Sequence, residues 1–345
     1  MIKVLIVDDS RVAQEFLVHL LTVDPAIQVV GVANNGAEAV EAVKALRPDV
    51  ITMDIHMPRM DGFEATRAIM ESTPTPIVIV SASTSAKDAG STFRALEAGA
   101  LAVVLRPPGK GHPNHQTAIR ELLRTVKTMS EIKLVRRQPR PKQSAPAVPA
   151  AKGIRLVAIG ASTGGPPVLH RILSLLPKPF AAPVLLVQHI APGFVDGFIS
   201  WLSEAAGFPL HLAEHGQVCL PGHGYVAPDG LHLGVDRDLR IMLSDQAPDS
   251  GLRPSVAHLF LSVAGALGPR AVGVLLTGMG RDGAKELKMM KDVGALTVAQ
   301  DAASSVVHGM PGEALKLGAA TYVLPPEGIA AVLAALIGQQ SGESA

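Results

Sequence analysis

Cysteine is almost absent from this chain of 345 residues, in which Cys219 is the single example. No intrachain disulfide can therefore form and no thiolate cluster can hold a metal, which indicates a reducing compartment. An excess of charge of one sign is also missing, because the formal net charge is only +1. Composition thus gives no reason to expect nucleic acid as a partner.

Long hydrophobic runs are absent as well. The longest late run, residues 329–337, is far shorter than the roughly 20 residues that a membrane helix needs. The chain passes from Met1 into a short apolar run without the charged, apolar and small-residue regions of a signal peptide. We therefore expect a cytoplasmic protein that does not insert into membranes.

The chain does have the length and the apolar content of two globular domains. In its first part, short apolar runs alternate with segments of helical spacing. Each run is apolar at consecutive positions, as strands buried on both faces are. Five such units predict an α/β domain of the flavodoxin-like (βα)5 type over residues 1–125. The runs cover residues 4–7, 29–33, 50–53, 77–80 and 101–105.

A proline-rich basic segment, residues 126–152, follows the first domain. Repeated prolines favour extended backbone, which predicts a semi-stiff linker, with a nucleic-acid or partner contact as the alternative for its basic residues. A second domain, doubly wound and mostly parallel α/β, is predicted over residues 153–340. Glycine and proline interrupt the short runs of residues 211–243, which predicts hairpins inserted into this domain.

Three carboxylates follow predicted strands of the first domain, Asp8 and Asp9 after the first and Asp54 after the third. The carboxyl ends of parallel strands form the ligand-binding edge of an open sheet, so we expect these side chains to converge. Their repulsion calls for a cation, and an all-oxygen cluster suits Mg²⁺. Asp54 is then a candidate nucleophile toward a phosphoryl group. The alternative is local: Asp9 or Ser10 caps a helix and Asp54 starts a turn.

Two further strand ends favour a shared site over separate local roles: Ser81 follows the fourth strand, and Arg106 precedes a proline after the fifth. With these residues, the region up to residue 129 resembles response-regulator receiver domains. The matching segments are residues 7–10, 53–62, 81–82 and 106–107.

The receiver resemblance implies that a histidine kinase of the CheA type phosphorylates Asp54. It also implies that Mg²⁺ binds at the acidic residues and at the carbonyl of His56, and that Ser81 is the switch hydroxyl. Two positions depart from the family. Arg106 replaces the usual lysine, and Val103 occupies the usual aromatic switch position. Because arginine is a planar fork and not a compact point donor, an altered response to phosphorylation is a hypothesis that the sequence raises.

In the second domain, a Gly-x-Ser-x-Gly pattern centred on Ser162 lies between a predicted strand and a helical segment. The glycines allow a tight turn that presents the hydroxyl, and N–H groups at a helix start can hold an oxyanion. A phosphate or nucleotide cradle is the alternative for such a turn, although the Gly-x-Gly-x-x-Gly pattern of dinucleotide sites is absent here.

His189 follows the next buried strand, and Asp282 follows a later one within a glycine-rich segment. Each has an ordinary role when taken alone, as a structural histidine or as the cap of a helix. Three strand-end loops that each supply a different member of a Ser-His-Asp triad outweigh three separate local roles. Because the order Ser, His, Asp differs from that of α/β-hydrolases, we expect a separate solution of the same chemistry.

From Gly153 to about Ile337 the chain resembles the chemotaxis methylesterase domain. The order of the two domains resembles the CheB family of chemoreceptor glutamate methylesterases and glutamine deamidases. Ala257 departs from this family, in which aspartate is frequent at that position. The matching segments are residues 188–194, 225–230, 253–256 and 300–311.

The CheB resemblance implies a serine ester hydrolase that needs no cofactor for the ester chemistry. Ser162 attacks the γ-carbonyl of a methylated glutamate, His189 takes the serine proton, and Asp282 stabilises the imidazolium. Our candidates for the oxyanion hole are the backbone N–H groups near Thr163 and Met279. With glutamine as substrate, the same steps give deamidation.

The implied partners are methyl-accepting chemoreceptors as substrates and the kinase as phosphodonor. The receiver is implied to cover the active site until Asp54 is phosphorylated, and a monomer is expected. Two alternatives stay open. One is a non-enzymatic response regulator, against which stand the triad and the lack of a basic recognition helix. The other is the same hydrolase acting on receptors of a non-motility chemosensory system.

Overall fold

The structure, a computed structural model, describes residues 1–81, 86–132 and 153–338. The chain divides into two compact units, Met1–Gln138 and Pro139–Ala345. The predicted linker of residues 126–152 starts too early, because the last helix of the first unit continues to Ser130 and buries Val126 and Met129. Ala82 of the predicted switch segment, the rest of the linker from residue 133, and residues 339–340 lie outside the described residues.

In the first unit the strands pair in parallel in the order β2-β1-β3-β4-β5. This order is flavodoxin-like and confirms the predicted fold class. The strands are β1 (Ile2–Val7), β2 (Ile27–Ala33), β3 (Val50–Met53), β4 (Ile77–Ser81) and β5 (Ala102–Leu105). The helices are α1 (Arg11–Thr22), α2 (Gly36–Leu46), α3 (Gly62–Ser72), α4 (Ala86–Glu97) and α5 (His115–Ser130).

Polar side chains cap the first three helices of the first unit. The Ser10 hydroxyl accepts a hydrogen bond from the backbone N–H of Ala13 at the start of α1. Asp61 and Glu64 form a reciprocal capping box at the start of α3. Ser10 therefore has the capping role that was one alternative for this loop, and the neighbouring carboxylates are left to the edge of the sheet.

The second unit is built on a sheet in which every described strand pair is parallel, in the order β14-β13-β12-β6-β7-β9-β8. Its strands are β6 (Leu156–Ala161), β7 (Val184–Gln188), β8 (Leu210–Leu212), β9 (Gly224–Val226), β12 (Ala271–Leu275), β13 (Leu296–Gln300) and β14 (Tyr322–Leu324). The helices are α6 (Gly165–Leu175), α7 (Val195–Ala206), α8 (Val256–Leu267), α9 (Ala284–Asp292), α10 (Met310–Lys316) and α11 (Pro326–Gly338).

The region from residue 211 to 243 is only partly the set of hairpins that the sequence predicts. β10 (His232–Val235) and β11 (Ile241–Ser244) do form an antiparallel hairpin. β8 and β9, by contrast, extend the main sheet in parallel. Both strands are three residues long. The turn residues between them favoured a hairpin in the sequence analysis, since the sequence does not show which strand each of them pairs with.

The strand order places a topological switch point between β6 and β12. From β6 the chain continues to β7 on one side of the sheet and later returns to form β12 on the other side. Ligands bind outside the carboxyl ends of the strands at such points in doubly wound folds. We therefore expect the functional site in the loops that follow β6, β7 and β12.

Apolar side chains of β6 and β12 pack with α8 and α9 into the core beneath this edge. Representative members of the cluster are Leu156, Leu275, Phe260 and Leu287, all fully buried. Within the described part of the chain, no helix is both long enough and apolar enough to cross a membrane.

Candidate active site and receiver acidic cluster

The structure brings together the three predicted acids of the first unit at the carboxyl edge of its sheet. Asp8 follows β1 and Asp54 follows the neighbouring strand β3. Asp8, Asp9 and Asp54 each offer one oxygen, and these oxygens lie within 4.8 Å of one another. Asp8 is buried whereas Asp9 is exposed, so the cluster is open to solvent on one side.

Burial and crowding both act on these carboxyl groups. Burial raises the pKa of Asp54 to about 6, and the charge of Asp8 adds to this shift while Arg106 opposes it. Burial also raises the pKa of Asp8, against a hydrogen bond from the Ser10 backbone and the charge of Arg106. Carboxylates that repel one another in this way fit a divalent cation, and their all-oxygen donor set fits Mg²⁺.

The other predicted receiver residues lie around the acidic cluster. Arg106 Nη2 is 2.6 Å from Asp8 Oδ2 and 3.8 Å from Asp54 Oδ2, so its closer partner is Asp8. Ser81 is the buried last residue of β4, and His56 is exposed in the loop after β3. Val103 is half-buried on β5. The roles proposed for these residues in metal binding and switching stay predictions.

In the second unit, Ser162 lies in the predicted strand-to-helix turn, directly after β6 and just before α6. Its backbone N–H donates to Thr277 O over 3.0 Å, and its carbonyl accepts from Gly165 N over 2.8 Å. Gly164 has φ of +76°, a left-handed conformation that favours glycine. A side chain at Gly164 would also meet Val306 at 2.5 Å, so the turn needs glycine here for two reasons.

His189 follows β7, the strand next to β6. The last ladder pair is Ala161 with Gln188, so Ser162 and His189 are the residues that directly follow two adjacent strands. The His189 backbone N–H still donates to Ala161 O over 3.0 Å. Among the described residues, no hydrogen bond joins the Ser162 hydroxyl to the imidazole. Such bonds are often long or misaligned without substrate.

Asp282, in the loop between β12 and α9, reaches the imidazole from the other side of β6. Its Oδ2 lies 3.0 Å from His189 Nε2, although the ring N–H does not point at this oxygen closely enough for a hydrogen bond. Burial alone would raise the pKa of Asp282. The His189 contact and the backbone N–H groups of Val256 and Ala257 together hold it below its ordinary value. The structure thus brings the three predicted triad residues to one sheet edge.

The N-terminus of α8 supplies those two backbone donors. Val256 N and Ala257 N lie 2.7 and 3.0 Å from the Asp282 carboxylate oxygens, so the carboxylate sits where a helix N-terminus favours negative charge. Ser255 caps the same helix by accepting from His258 N. Since the contact at position 257 is made by the backbone, alanine there leaves it intact.

Further polar residues support the start of α8 and were missed by the sequence analysis as part of the site. The Ser255 hydroxyl lies 3.2 Å from His232 Nδ1 and 3.1 Å from Asp249 Oδ2. The His232 and His258 rings stack with their centroids 4.6 Å apart. The serine before an apolar helical segment was a readable N-cap signal. Nothing in the spacing linked it to His232, on a separate hairpin strand.

The two predicted oxyanion donors border Ser162. The backbone N–H groups of Thr163 and Met279 donate no hydrogen bond to any described residue. Gly278 lies against the serine, since a Cβ added there would be 2.7 Å from Ser162 Cβ. The carbonyl of Gly278 accepts from Gly309 N and Met310 N, which fixes the loop that carries Met279.

Thr277 and Gln300 tie this loop to the elbow, and sequence reasoning assigned them no role. The Thr277 hydroxyl lies 3.0 Å from Thr163 O, and the Thr277 N–H donates to Gln300 Oε1 over 2.7 Å. Gln300 is fully buried at the end of β13. A polar residue that ends an otherwise apolar strand was the available signal.

A hydroxyl, an imidazole and a carboxylate therefore lie at one edge of the sheet, beside two backbone N–H groups without partners among the described residues. Acyl transfer through a serine ester uses this set of groups. The imidazole orientation differs from that of the usual triad, because Nε2 and not Nδ1 is next to the carboxylate.

Comparisons with known proteins agree with both halves of this arrangement. The family described as CheB methylesterase matches residues 157–333, and the response regulator receiver domain family matches residues 4–112. A protein-glutamate methylesterase/protein-glutamine glutaminase 1 of Syntrophus aciditrophicus is 56% identical, over 98% of this chain and 99% of its own. A protein of the same name, without the number, from Nitrosospira multiformis is 51% identical, over 99% and 98%.

A solved structure leads to the same result for the second unit. The CheB methylesterase catalytic domain of Thermotoga maritima is similar with a TM-score of 0.51 and 35% identity, over 53% of this chain and 98% of that domain. A receiver domain implies binding of Mg²⁺ by acidic residues, and the acidic cluster of the first unit supplies them. The chain belongs to the CheB methylesterase family and carries a response regulator receiver domain before its catalytic domain.

Proposed function

We propose that this protein hydrolyses the γ-methyl esters of glutamates on methyl-accepting chemoreceptors, releases methanol, and deamidates specific receptor glutamines. The observation that carries the proposal is the meeting of Ser162, His189 and Asp282 at the switch point of the second sheet. The names of the relatives, which are methylesterases and glutaminases, supply the substrate class.

In the first half of the reaction, Ser162 Oγ attacks the γ-carbonyl carbon of the glutamyl ester. His189 accepts the hydroxyl proton through Nδ1, because Nε2 lies beside Asp282. The carboxylate then stabilises the imidazolium, which gives its proton to the departing methoxide, and methanol leaves. The product of this half is an ester between the receptor glutamate and the serine.

The backbone N–H groups of Thr163 and Met279 hold the oxyanion that forms during the attack. Neither needs to break a hydrogen bond to a described residue before it can donate to substrate. Loss of one such donor costs about 3 kcal/mol in comparable sites. Rigid support of the loops that carry both donors is therefore part of the chemistry.

In the second half, His189 removes a proton from water, which attacks the serine ester. Ser162 leaves with a proton returned by the imidazole, and the receptor keeps a free carboxylate. With glutamine as substrate, the imidazolium protonates the departing amide nitrogen in the first half, and ammonia leaves instead of methanol. The same residues then produce glutamate by deamidation.

The receiver domain adds control by phosphorylation. We propose that a histidine kinase of the CheA type transfers its phosphoryl group to Asp54, and that Asp8, Asp9, Asp54 and the carbonyl of His56 hold the ion required. These residues would hold Mg²⁺, which would supply positive charge to the oxygens of the incoming phosphoryl group. Arg106 is close enough to contribute positive charge to the same site. Ser81 is proposed as the hydroxyl that responds to the phosphoryl group.

The test is methanol release from receptors that carry labelled methyl groups. Ser162→Ala should lower the rate by at least about 10³-fold, because the nucleophile is removed. Ser174→Ala is the matched control, since Ser174 donates only to helix backbone within α6 and should leave the rate unchanged. Equal release by the wild type and Ser162→Ala would contradict the proposal.

A panel of receptors from the same organism separates the remaining alternatives. Demethylation of motility receptors supports a role in chemotaxis adaptation. Demethylation confined to receptors of another chemosensory system would keep the chemistry and change the pathway. No release from any methylated receptor would favour a non-enzymatic response regulator.

A further inference from the structure

Gln188, the last residue of β7, lies between the two residues that the mechanism places at the scissile bond. Its side chain is 4% exposed and comes directly before His189 in the chain. Its Nε2 donates to Ser162 O and to His189 O, each over 2.9 Å. Both amide hydrogens are thereby used, and one side chain joins the backbone of the nucleophile to that of the base.

These bonds replace the next step of the β6-β7 ladder. The ladder ends where His189 N donates to Ala161 O. In a continued parallel ladder, the next bond would run from Thr163 N to His189 O. The Gln188 carboxamide donates to the His189 carbonyl oxygen instead. Thr163 N makes no hydrogen bond to a described residue.

The Gln188 carboxamide is closely packed. A Cβ added at Gly165 would be 2.2 Å from Gln188 Oε1, so glycine is required beside it. Oε1 is buried and has no hydrogen-bond partner within the described part of the chain. Methionine would fill the same volume without an unsatisfied oxygen. What glutamine adds over methionine is its pair of N–H donors.

We propose that Gln188 is a positioning residue that keeps the Thr163 N–H free for the oxyanion and fixes Ser162 relative to His189. It acts through backbone groups and does not touch the substrate. The inference rests on the proposed ester hydrolysis, because it assigns the Thr163 N–H a use only in that reaction.

The test compares Gln188→Met and Gln188→Asn with the wild type in the full-length protein. Methionine keeps the length and removes both donors, whereas asparagine keeps the donors and shortens their reach. For both variants, kcat for methanol release should fall by about 10²-fold, as for loss of one oxyanion donor, with little change in KM. Labelling of Ser162 by a fluorophosphonate should slow by a similar factor, because that reaction uses the same donors.

Thr297→Val is the control for loss of a buried hydrogen bond elsewhere in the domain. Thr297 is fully buried on β13, and its hydroxyl donates to Ala319 O, away from the site. It should keep the wild-type kcat even if thermal unfolding shows a loss of stability. Circular dichroism and thermal unfolding establish that each variant is folded.

The outcomes separate this inference from the proposed function. If the wild type releases methanol and labels at Ser162 while Gln188→Met matches it in both rates, the positioning role is overturned. If Gln188→Met and Thr297→Val lose kcat equally, the effect is general destabilisation and the role is again overturned. If the wild type neither releases methanol nor labels at Ser162, the proposed function itself fails.

Discussion

At the scale of single residues, Asp282 is held by more than its contact with the imidazole. The backbone N–H groups of Val256 and Ala257, at the start of α8, donate hydrogen bonds to its two carboxylate oxygens. An amide at this position would turn N–H groups toward one of these donors or toward the ring. We therefore expect the carboxylate to stabilise both the local fold and, in the proposed mechanism, the imidazolium of His189.

Asp282→Asn should lower kcat by about 10⁴-fold, the effect of the same change in another triad. It should also lower the free energy of unfolding at neutral pH by about 2 kcal/mol, because buried donors lose their acceptor. Since the pKa of Asp282 is lowered in the folded protein, this stabilisation is complete above the ordinary aspartate pKa of about 3.9 and is lost as pH falls through the folded value.

Denaturant unfolding of both proteins from pH 7 down to pH 3 measures this difference. The two curves should converge only at the acidic end. Asp292→Asn, at an exposed ion pair with Lys288, is the control and should stay close to the wild type throughout. A gap between wild type and Asp282→Asn that does not depend on pH would contradict the assignment.

The positions of the candidate triad residues at strand ends were predictable, whereas the residues that support them were not. Ser162, His189 and Asp282 each follow an apolar run, and the sheet edge collects such positions. Gln188 immediately precedes His189, but its value depends on where an amide nitrogen points in a folded turn. His232 and Ser255 meet only because a hairpin lies against α8, and no periodicity encodes that contact.

At the scale of elements, the loop after β12 is packed tightly against Ser162. A Cβ at Gly278 would lie 2.7 Å from Ser162 Cβ and 2.3 Å from Met310 Sδ. By contrast, Gly265 is exposed within α8 and a Cβ there meets nothing within 4 Å. The two glycines form a matched pair, one required by close approach and one not.

Gly278→Ala should lower kcat by about 10²-fold, because a displacement of the nucleophile of about 1 Å has that effect. Gly265→Ala should keep kcat and raise the free energy of unfolding by about 0.5–1 kcal/mol, the helix preference of alanine over glycine. Methanol release and denaturant unfolding measure the two effects. An unchanged kcat in Gly278→Ala would show that the loop yields more easily than its contacts indicate.

The long strands were easier to predict from the sequence than the short ones. The consecutive apolar positions of β1, β3, β6 and β12 are typical of strands buried on both faces, and the structure has them in parallel sheets. Short β8 and β9 carry too few residues to show a period, so their turn-rich surroundings suggested hairpins. Their pairing is decided by the contact of β9 with β7, a strand of the same sheet that lies far away in the sequence.

At the scale of the whole molecule, the receiver is expected to control the esterase. Asp54→Ala should abolish stimulation of methanol release by a small phosphodonor with Mg²⁺, since the acceptor carboxylate is gone. A fragment of residues 153–345 should be active without phosphodonor, because the implied cover is removed. The catalytic unit has its own sheet and core, which allows it to be tested alone.

Rates of methanol release with and without phosphodonor check both expectations. Ser162→Ala in the fragment supplies the background. A folded fragment that is as inactive as the unphosphorylated full chain would argue against simple covering by the receiver. The sequence carried the family-level expectation of control, but the effect of Arg106 and Val103 depends on a conformational equilibrium that no static contact reports.

The position of β12 beside β6 has a consequence for how the protein folds during its synthesis. Asp282 is 120 positions after Ser162 in the chain. The strand before it, β12, can pair with β6 only after α8 has been synthesised. A ribosome therefore exposes the serine and the histidine long before it delivers their carboxylate. Until the segment that carries Asp282 is translated and folded, the proposed triad is incomplete, and we expect the nascent chain to have no esterase activity.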